Sequence, residues 1–362
     1  MLSPLDYAKS ACDTMMRRFA AADLPPKGHF HYHQGVFLSG MQQTYALCGN
    51  EAYFEYIKAW IDSVFDEDGR IRDCTFANLD DIQPGILLYP ILDKTGDPYY
   101  LRCLRSVYEE VCAIPRNSLG GYWHKVHTVD QMWLDGLYMV GPFSCEYAQR
   151  FHLPELRQTI VNHALLMREK TQDKATGLYY HAWDGAGIME WANPITGCSA
   201  EFWGRSMGWM PVALLNDLDF FSPDDPGYED LAQMAVDLLL ALCRYQSDDG
   251  RWYQVTNKGD QPGNWLENSC SCLYVAGLCK AMRRGFLSRD YLTNAQKGYQ
   301  GVINSLTFIG EDIQIGHVCI GTGVGDYPFY CARPVSVNDL HGVGAFLIMC
   351  TEMQMLLDQI GE

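Results

Sequence analysis

A recurring boundary constrains this chain more than any other feature. Gly49-Asn50-Glu51-Ala52-Tyr53 returns as Gly96-Asp97-Pro98-Tyr99-Tyr100, each time between two apolar stretches of helical period. The glycine ends one helix in a left-handed conformation, and Asn50 or Asp97 caps the next. Looser echoes are Leu153-Pro154-Glu155, Pro226-Gly227-Tyr228-Glu229 and Ser288-Arg289-Asp290-Tyr291. The periodicity predicts twelve helices, near 4–22, 34–48, 51–65, 82–94, 98–113, 130–149, 154–171, 204–220, 228–245, 265–284, 289–306 and 339–357. Ser3, with Asp6 three residues on, reads as a capping box for the first. Strand signals are confined to short pieces such as Tyr179-Tyr180-His181 and 251–255.

The tight turns alternate with long connections at 66–80, 114–129, 172–203, 246–264 and 307–338. Long loops without structure of their own are usually functional. Here they alternate with short turns, which implies helix hairpins whose long loops gather on one face. Twelve helices make six hairpins, and six hairpins can close into an all-α (α/α)6 barrel. An open solenoid is the alternative, but its repeats would be shorter and more uniform. No linker or low-complexity segment interrupts the chain, so residues 1–362 are read as one domain.

A net charge of −17 argues against nucleic acid as a partner. It also means that an anionic substrate must be held by a few well-placed cations. No stretch approaches the roughly 18 unbroken apolar residues of a membrane span, so no membrane partner is expected. The first residues, Met1-Leu2-Ser3-Pro4-Leu5-Asp6, lack the basic start and apolar run of a signal peptide. Fourteen scattered cysteines, Cys12, Cys48, Cys103, Cys145, Cys243 and Cys350 among them, read as free thiols in a reducing cytoplasm. No metal or cofactor is expected. Cys270-Ser271-Cys272 lacks a second pair at zinc spacing, and His29-Phe30-His31-Tyr32-His33 lacks a partner at metal spacing. Gly321-Thr322-Gly323-Val324-Gly325-Asp326 is glycine-rich, but no Gly-Lys-Ser/Thr follows to make a phosphate loop. There is no Gly-x-Ser-x-Gly nucleophile elbow.

Asp135 stands out among the titratable groups. It lies in Gln131-Met132-Trp133-Leu134-Asp135-Gly136-Leu137-Tyr138-Met139, just inside a predicted helix and surrounded by large apolar residues. Such surroundings penalise the charged form and predict a raised pKa, the property of a general acid. An acid at a helix start also serves the dipole, so the neighbours decide. His124, Lys125 and Trp133 supply a polar donor, a cation and an aromatic wall. Trp203-Gly204-Arg205-Ser206-Met207-Gly208-Trp209 sets two tryptophans around one arginine: Trp faces stack on sugars and Arg binds carboxylates bidentately. His181 sits beside aromatics on a long loop. Asn78-Leu79-Asp80-Asp81-Ile82 offers a second acid, Asp80 or Asp81, although paired aspartates before a helix often cap it.

These pieces together resemble the unsaturated rhamnogalacturonyl hydrolases, enzymes of pectin breakdown related to the unsaturated glucuronyl hydrolases. The resemblance is carried by 31–37, Asn78-Leu79-Asp80, Trp123-His124-Lys125, 131–139, Tyr180-His181-Ala182-Trp183, 203–209 and 338–345, in order along nearly the whole chain. It implies an (α/α)6 barrel and a small oligosaccharide substrate ending in a 4,5-unsaturated uronic acid. That sugar is an enol ether. The family's acid protonates C4, cationic character develops at C5, and the same carboxylate activates water to attack C5. The resulting hemiketal opens and the glycosidic bond breaks.

By resemblance, Asp135 is the acid/base and Asp80 matches a second acid that assists or binds sugar. Tyr32, His124, Lys125, Trp133, His181, Trp203, Arg205 and Trp209 match substrate contacts, with Arg205 or Lys125 neutralising the uronate. The stretch Val126-His127-Thr128-Val129-Asp130 departs from the pattern, which leaves the leaving sugar less defined than the uronate. The rival readings are a glucuronyl hydrolase on glycosaminoglycan fragments, an inverting glycosidase pairing Asp135 with Asp80, and a non-enzymatic helical-repeat scaffold.

Overall fold

The computed structural model describes residues 2–74 and 77–361; positions 75 and 76, within the predicted 66–80 connection, lie outside the described residues. The tight turns form as their residues require. Gly49 and Gly96 take left-handed conformations, with φ of 67° and 65°. Asn50 then accepts from the Ala52 N–H and Asp97 from the Tyr99 N–H. Each cap satisfies a backbone donor that the helix itself leaves open, worth about 1 kcal/mol. The Ser3–Asp6 capping box is present.

The chain runs as helix hairpins. The first pairs are α1 (Pro4–Arg18) with α2 (Tyr32–Cys48), α3 (Glu51–Val64) with α4 (Leu88–Thr95), and α5 (Pro98–Ala113) with α6 (Gly136–Phe151). Then follow α7 (Pro154–Thr171) with α8 (Gly204–Asp217), and α9 (Tyr228–Cys243) with α10 (Asn268–Arg283). The last hairpin is α11 (Leu292–Asn304) with α13 (Leu340–Ile360), and a short α12 (Tyr327–Cys331) lies between them.

Packing sorts these helices into two rings. The odd-numbered partner of each hairpin, α1 to α11, is outside and amphipathic. On α3, Tyr53, Phe54, Ile57, Trp60, Ile61 and Val64 recur at helical spacing and are buried. The inner partners are more enclosed: α8 buries every residue from Gly204 to Leu215. The inner contacts run α2, the turn before α4, α6, α8, α10, α13 and back to α2, which closes an (α/α)6 barrel. At the seam a Cβ on Gly344 would lie 2.5 Å from the Val36 backbone, so only glycine lets α13 approach α2 so closely. Helix α13 is long and apolar enough to cross a membrane, but 83% of that window is buried inside the protein.

The predicted helix boundaries differ at several points, most of all in two places. Residues 130–149 do not begin as helix: β1 (Gln131–Trp133) pairs antiparallel with β2 (Ala182–Asp184), and α6 starts after Asp135. Two neighbouring long connections are thereby tied together. Residues 82–94 begin as a 3-10 turn, Gln83–Leu87, since Pro84 has no N–H to donate and Gly85 packs directly on Phe143. Three further antiparallel ladders lie in or beside the late loops: β3 (Trp252–Tyr253) with β4 (Leu266–Glu267), β5 (Thr307–Ile309) with β6 (Asp312–Gln314), and β7 (Val318–Cys319) with β8 (Val335–Ser336). The cysteines are free thiols, and most of them are buried.

Candidate active site

Five inner helices direct their N-terminal ends to one rim. Their cap positions are His31, Asp135, Trp203, Glu267 and Asp339. Helix N-termini carry partial positive charge, so this rim favours an anion. A cavity of about 300 Å³ opens there, lined by residues that include Tyr32, Asp80, His124, Lys125, Trp133, Asp135, Trp203 and Arg205. A larger hollow of about 730 Å³ lies beside α7 around Lys170 and Trp191, but it holds none of these groups. The smaller cavity concentrates the chemistry.

Asp135 sits at the start of α6, with its side chain 13% exposed and one oxygen 3.0 Å from Nε2 of His181. His181 is fully buried, and its Nδ1 lies 2.6 Å from the Tyr330 hydroxyl. That hydroxyl accepts from the Gly325 N–H at 3.2 Å, so its own proton is available to Nδ1. Burial pushes the His181 pKa down despite the pull of Asp135, which favours the neutral ring. A neutral ring accepting at Nδ1 carries its proton on Nε2, facing Asp135. The contact is close but off axis, since neither Nε2 nor the facing oxygen has an aligned hydrogen bond. Such contacts often tighten only when substrate binds. The His181 ring is walled by Trp203 at 4.4 Å and, edge-on, by Trp133 at 5.5 Å.

This geometry corrects the predicted pKa of Asp135. Burial does push it up, but His181, by charge and by contact, and then the charges of His124 and Arg205 outweigh burial. The carboxyl pKa lies below its ordinary value, which favours the ionised form. Sequence neighbours supplied the apolar wall; the polar partners came from loops distant in sequence.

Asp80 is held differently. Its carboxylate meets Lys125 at 2.7 Å, His124 at 3.4 Å and His31 at 3.8 Å, with 7% of the side chain exposed. Burial opposes the charge, but His124 and Lys125 overcome it and keep the carboxyl well below the usual carboxylate range. The Lys125 pKa is raised in turn: burial works against its charge, and Asp80 more than restores it. His31 is pushed down to about 4, chiefly by burial. Of the adjacent pair, Asp80 lines the cavity and Asp81 does not.

Arg205 is buried and committed to the protein. Its Nη1 donates to the Cys319 carbonyl at 2.6 Å and to Ser269 Oγ at 3.4 Å, and its Nη2 donates to the Ile320 carbonyl at 2.9 Å. Its guanidinium lies over the Trp203 ring at 4.6 Å. Trp133 stacks on His124 with centroids 4.4 Å apart. Among the predicted contact residues, His181 stands behind Asp135 rather than on the cavity wall, and Trp209 stays out of the site altogether. It is fully buried, packed on Tyr138 at 4.5 Å, and lines no part of the cavity. Trp203 precedes α8 in extended backbone, whereas Trp209 lies inside the helix, so the two rings point to different surroundings.

Other lining residues escaped the sequence reading: His31, His33, Met139, Thr322 and Arg333. Tyr330, which supports His181, escaped it too. The glycine-rich segment 321–325 is the one signal in the sequence for Thr322, Tyr330 and Arg333. His33 also gains partners that sequence spacing did not supply. Asp339 and His341, from the far end of the chain, bring their ligand atoms within 4.8 Å of it and of one another. His341 there approaches Asp339 at 2.8 Å and hydrogen-bonds the Cys319 carbonyl at 3.0 Å, in a cluster with the ligand types of a metal site.

Comparison with known proteins agrees with this architecture. Over 297 residues the chain is 28% identical to the unsaturated rhamnogalacturonyl hydrolase YesR of Bacillus subtilis, covering 80% of this chain and 79% of that protein. The structure of a family 105 glycoside hydrolase from C. acetobutylicum superposes with a TM-score of 0.91 at 28% identity, covering 96% of this chain and 98% of the other. The unsaturated glucuronyl hydrolase of Bacillus sp. GL1 shares the fold, with a TM-score of 0.72 at 16% identity and coverage of 97% and 94%. The model of Glycosyl Hydrolase Family 88 matches residues 7–357. A closed ring of helix hairpins, a rim of helix N-termini and a sugar-sized aromatic pocket with buried acids thus coincide with a match over nearly the full length, and the chain belongs to Glycosyl Hydrolase Family 88.

Proposed function

We propose that this glycoside hydrolase removes a 4,5-unsaturated uronic acid from the non-reducing end of lyase-generated oligosaccharides, with unsaturated galacturonyl-rhamnose from pectin as the preferred substrate. One observation carries the reading: the pocket holds two acids, and only one is free to exchange a proton. Ordinary glycosidases work with two carboxylates at a set separation. Here Asp80 is locked by Lys125 at 2.7 Å, which leaves Asp135. Hydration of an enol ether needs one group that is first acid and then base.

In this scheme Asp135 protonates C4, and the cationic character that develops at C5 and the ring oxygen is held over the aromatic walls. The carboxylate then takes a proton from water attacking C5. His181, backed by Tyr330, receives the ionised form. The lowered resting pKa of Asp135 fits this cycle when substrate is considered. An arriving uronate brings negative charge and expels water, and both raise the proton affinity of a nearby carboxylate. Asp80 with Lys125, His124, Tyr32, Trp133 and Trp203 forms the sugar-binding wall. A cavity of about 300 Å³ suits a terminal sugar better than a polymer.

Likeness to YesR over most of the chain supports rhamnose on the leaving side. A hydrophobic cluster that draws on helices from α1 to α13 supports reading residues 1–362 as one domain. The free cysteines support a reducing compartment such as the cytoplasm.

The test is loss of ultraviolet absorption from lyase-generated disaccharides of pectin and of glycosaminoglycans. Wild-type protein should consume the galacturonyl-rhamnose product fastest, and Asp135→Asn should abolish consumption without altering the melting curve by much. Comparable hydrolysis of the saturated disaccharide would replace this mechanism with inverting hydrolysis. A preference for glycosaminoglycan fragments would reassign the leaving sugar.

A further inference from the structure

Resting on that reading of the substrate, we infer that Arg333 and Thr322, on the glycine-rich side of the pocket, grip the uronate carboxylate and set the enzyme's demand for an acidic sugar. Three cations line the cavity: Lys125, Arg205 and Arg333. Lys125 is paired with Asp80 at 2.7 Å. Arg205 is spent on the Cys319 and Ile320 carbonyls and on Ser269, with Glu267 3.9 Å away.

Arg333 alone has charge to offer. Among the described residues no carboxylate pairs with it. Its Nη2 donates to the Gly321 carbonyl at 2.5 Å, and its guanidinium rests on the Phe329 ring at 5.3 Å. Both contacts position the group without neutralising it. Its Nε is buried without a hydrogen-bond partner, and so is Oγ1 of Thr322. Buried polar atoms are normally satisfied. Two such donors in one cavity are the complement of a carboxylate's two oxygens. Gly321 and Gly323 lie on the same floor: a Cβ on Gly323 would meet only Trp133, at 4.0 Å, and one on Gly321 would touch Tyr32 and His33 at 3.5 Å.

The same segment is wired to the acid. Gly325 donates to Tyr330, whose hydroxyl contacts His181, which contacts Asp135. In an unsaturated uronate the carboxylate is carried on C5, the neighbour of the carbon that is protonated. Fixing the carboxylate on Arg333 therefore fixes C4 relative to Asp135. In a chain of net charge −17 such a local cation is what makes an anionic ligand bindable at all.

The experiment compares the unsaturated uronyl disaccharide with its carboxyl methyl ester, by absorption loss, for wild type, Arg333→Gln, Arg333→Lys and Thr322→Val. Wild type should prefer the acid. Arg333→Gln should lose about 100-fold in kcat/KM on the acid, most of it in KM, and the acid-over-ester ratio should collapse toward one. Arg333→Lys, which keeps the charge but not the fork, should recover about tenfold of that loss. Thr322→Val should cost about fivefold. If Arg333→Gln does not fold, Arg333→Lys and Thr322→Val carry the test through the same ratio. A wild-type ratio in the folded variants overturns the carboxylate grip while leaving the Asp135 assay, and the proposed function, standing. A wild-type protein that consumes neither compound overturns both.

Discussion

Asp80 and Asp135 share one pocket, and both are largely shielded from water, yet their partners divide their roles. Asp80 faces a lysine at 2.7 Å and two histidines, a balanced ion cluster that never needs to change charge. Asp135 faces one neutral, buried histidine backed by a phenol. A proton can move at Asp135 without stranding a fixed cation; at Asp80 it cannot. Burial alone predicts the same upward shift for both acids, so the partner, not the burial, distinguishes the locked acid from the proposed proton donor.

Four experiments would break or sharpen this contrast. Asp135→Asn should lower kcat about 10³-fold or more, the scale of a lost general acid/base, with little change in melting temperature. Asp80→Asn should show the opposite balance. It should cost about 100-fold in activity and about 1–3 kcal/mol in stability, because it strands Lys125, whose side chain is 23% exposed and so partly relieved by water. Equal stability loss in the two variants would erase the distinction.

Tyr330→Phe removes the hydroxyl that contacts His181 and should cost about tenfold in kcat/KM. Freed of that contact, His181 holds the Asp135 carboxylate less firmly, so the Asp135 pKa rises. Since the acid form is the proton donor, activity is lost as pH climbs through that pKa, and the alkaline limb of kcat, which reports the substrate-bound enzyme, should move to higher pH. A limb that moves down or stays would separate Tyr330 from Asp135.

The smallest effect concerns acid stability. The folded pKa of Asp80 lies below its unfolded value. Its stabilisation is therefore complete above about pH 4 and is lost as pH falls from there toward the folded value. The gap in unfolding free energy between wild type and Asp80→Asn should narrow over that acid window and stay constant above it.

Much of the barrel was legible because its boundaries are local chemistry. Gly49-Asn50 and Gly96-Asp97 end and start helices by backbone conformation and capping, which depend on residues a few positions apart. The break at Pro84-Gly85 was harder, because Gly85 yields to Phe143, a residue from another hairpin. In the site, Asp135, His124, Lys125, Trp133 and Trp203 were legible as clusters of the right residue types, and the pocket gathers them. Trp209 misled because motif membership does not say which face of a helix a ring occupies. Tyr330, in the short α12, and Arg333, just after it, were invisible, since the only mark of their connection was its glycines.

The amino-acid sequence by itself determined the hairpin rhythm, the barrel it closes into and the candidate acid. Those properties follow from short-range periodicity, capping and residue type. Only the tertiary structure decided the charge state of that acid, the neutralisation of Asp80 and the freedom of Arg333. Electrostatic energy depends on distance in space, and the groups that set it here, from Asp80 and Lys125 through His181 to Tyr330 and Arg333, are brought within a few ångströms only when the ring closes.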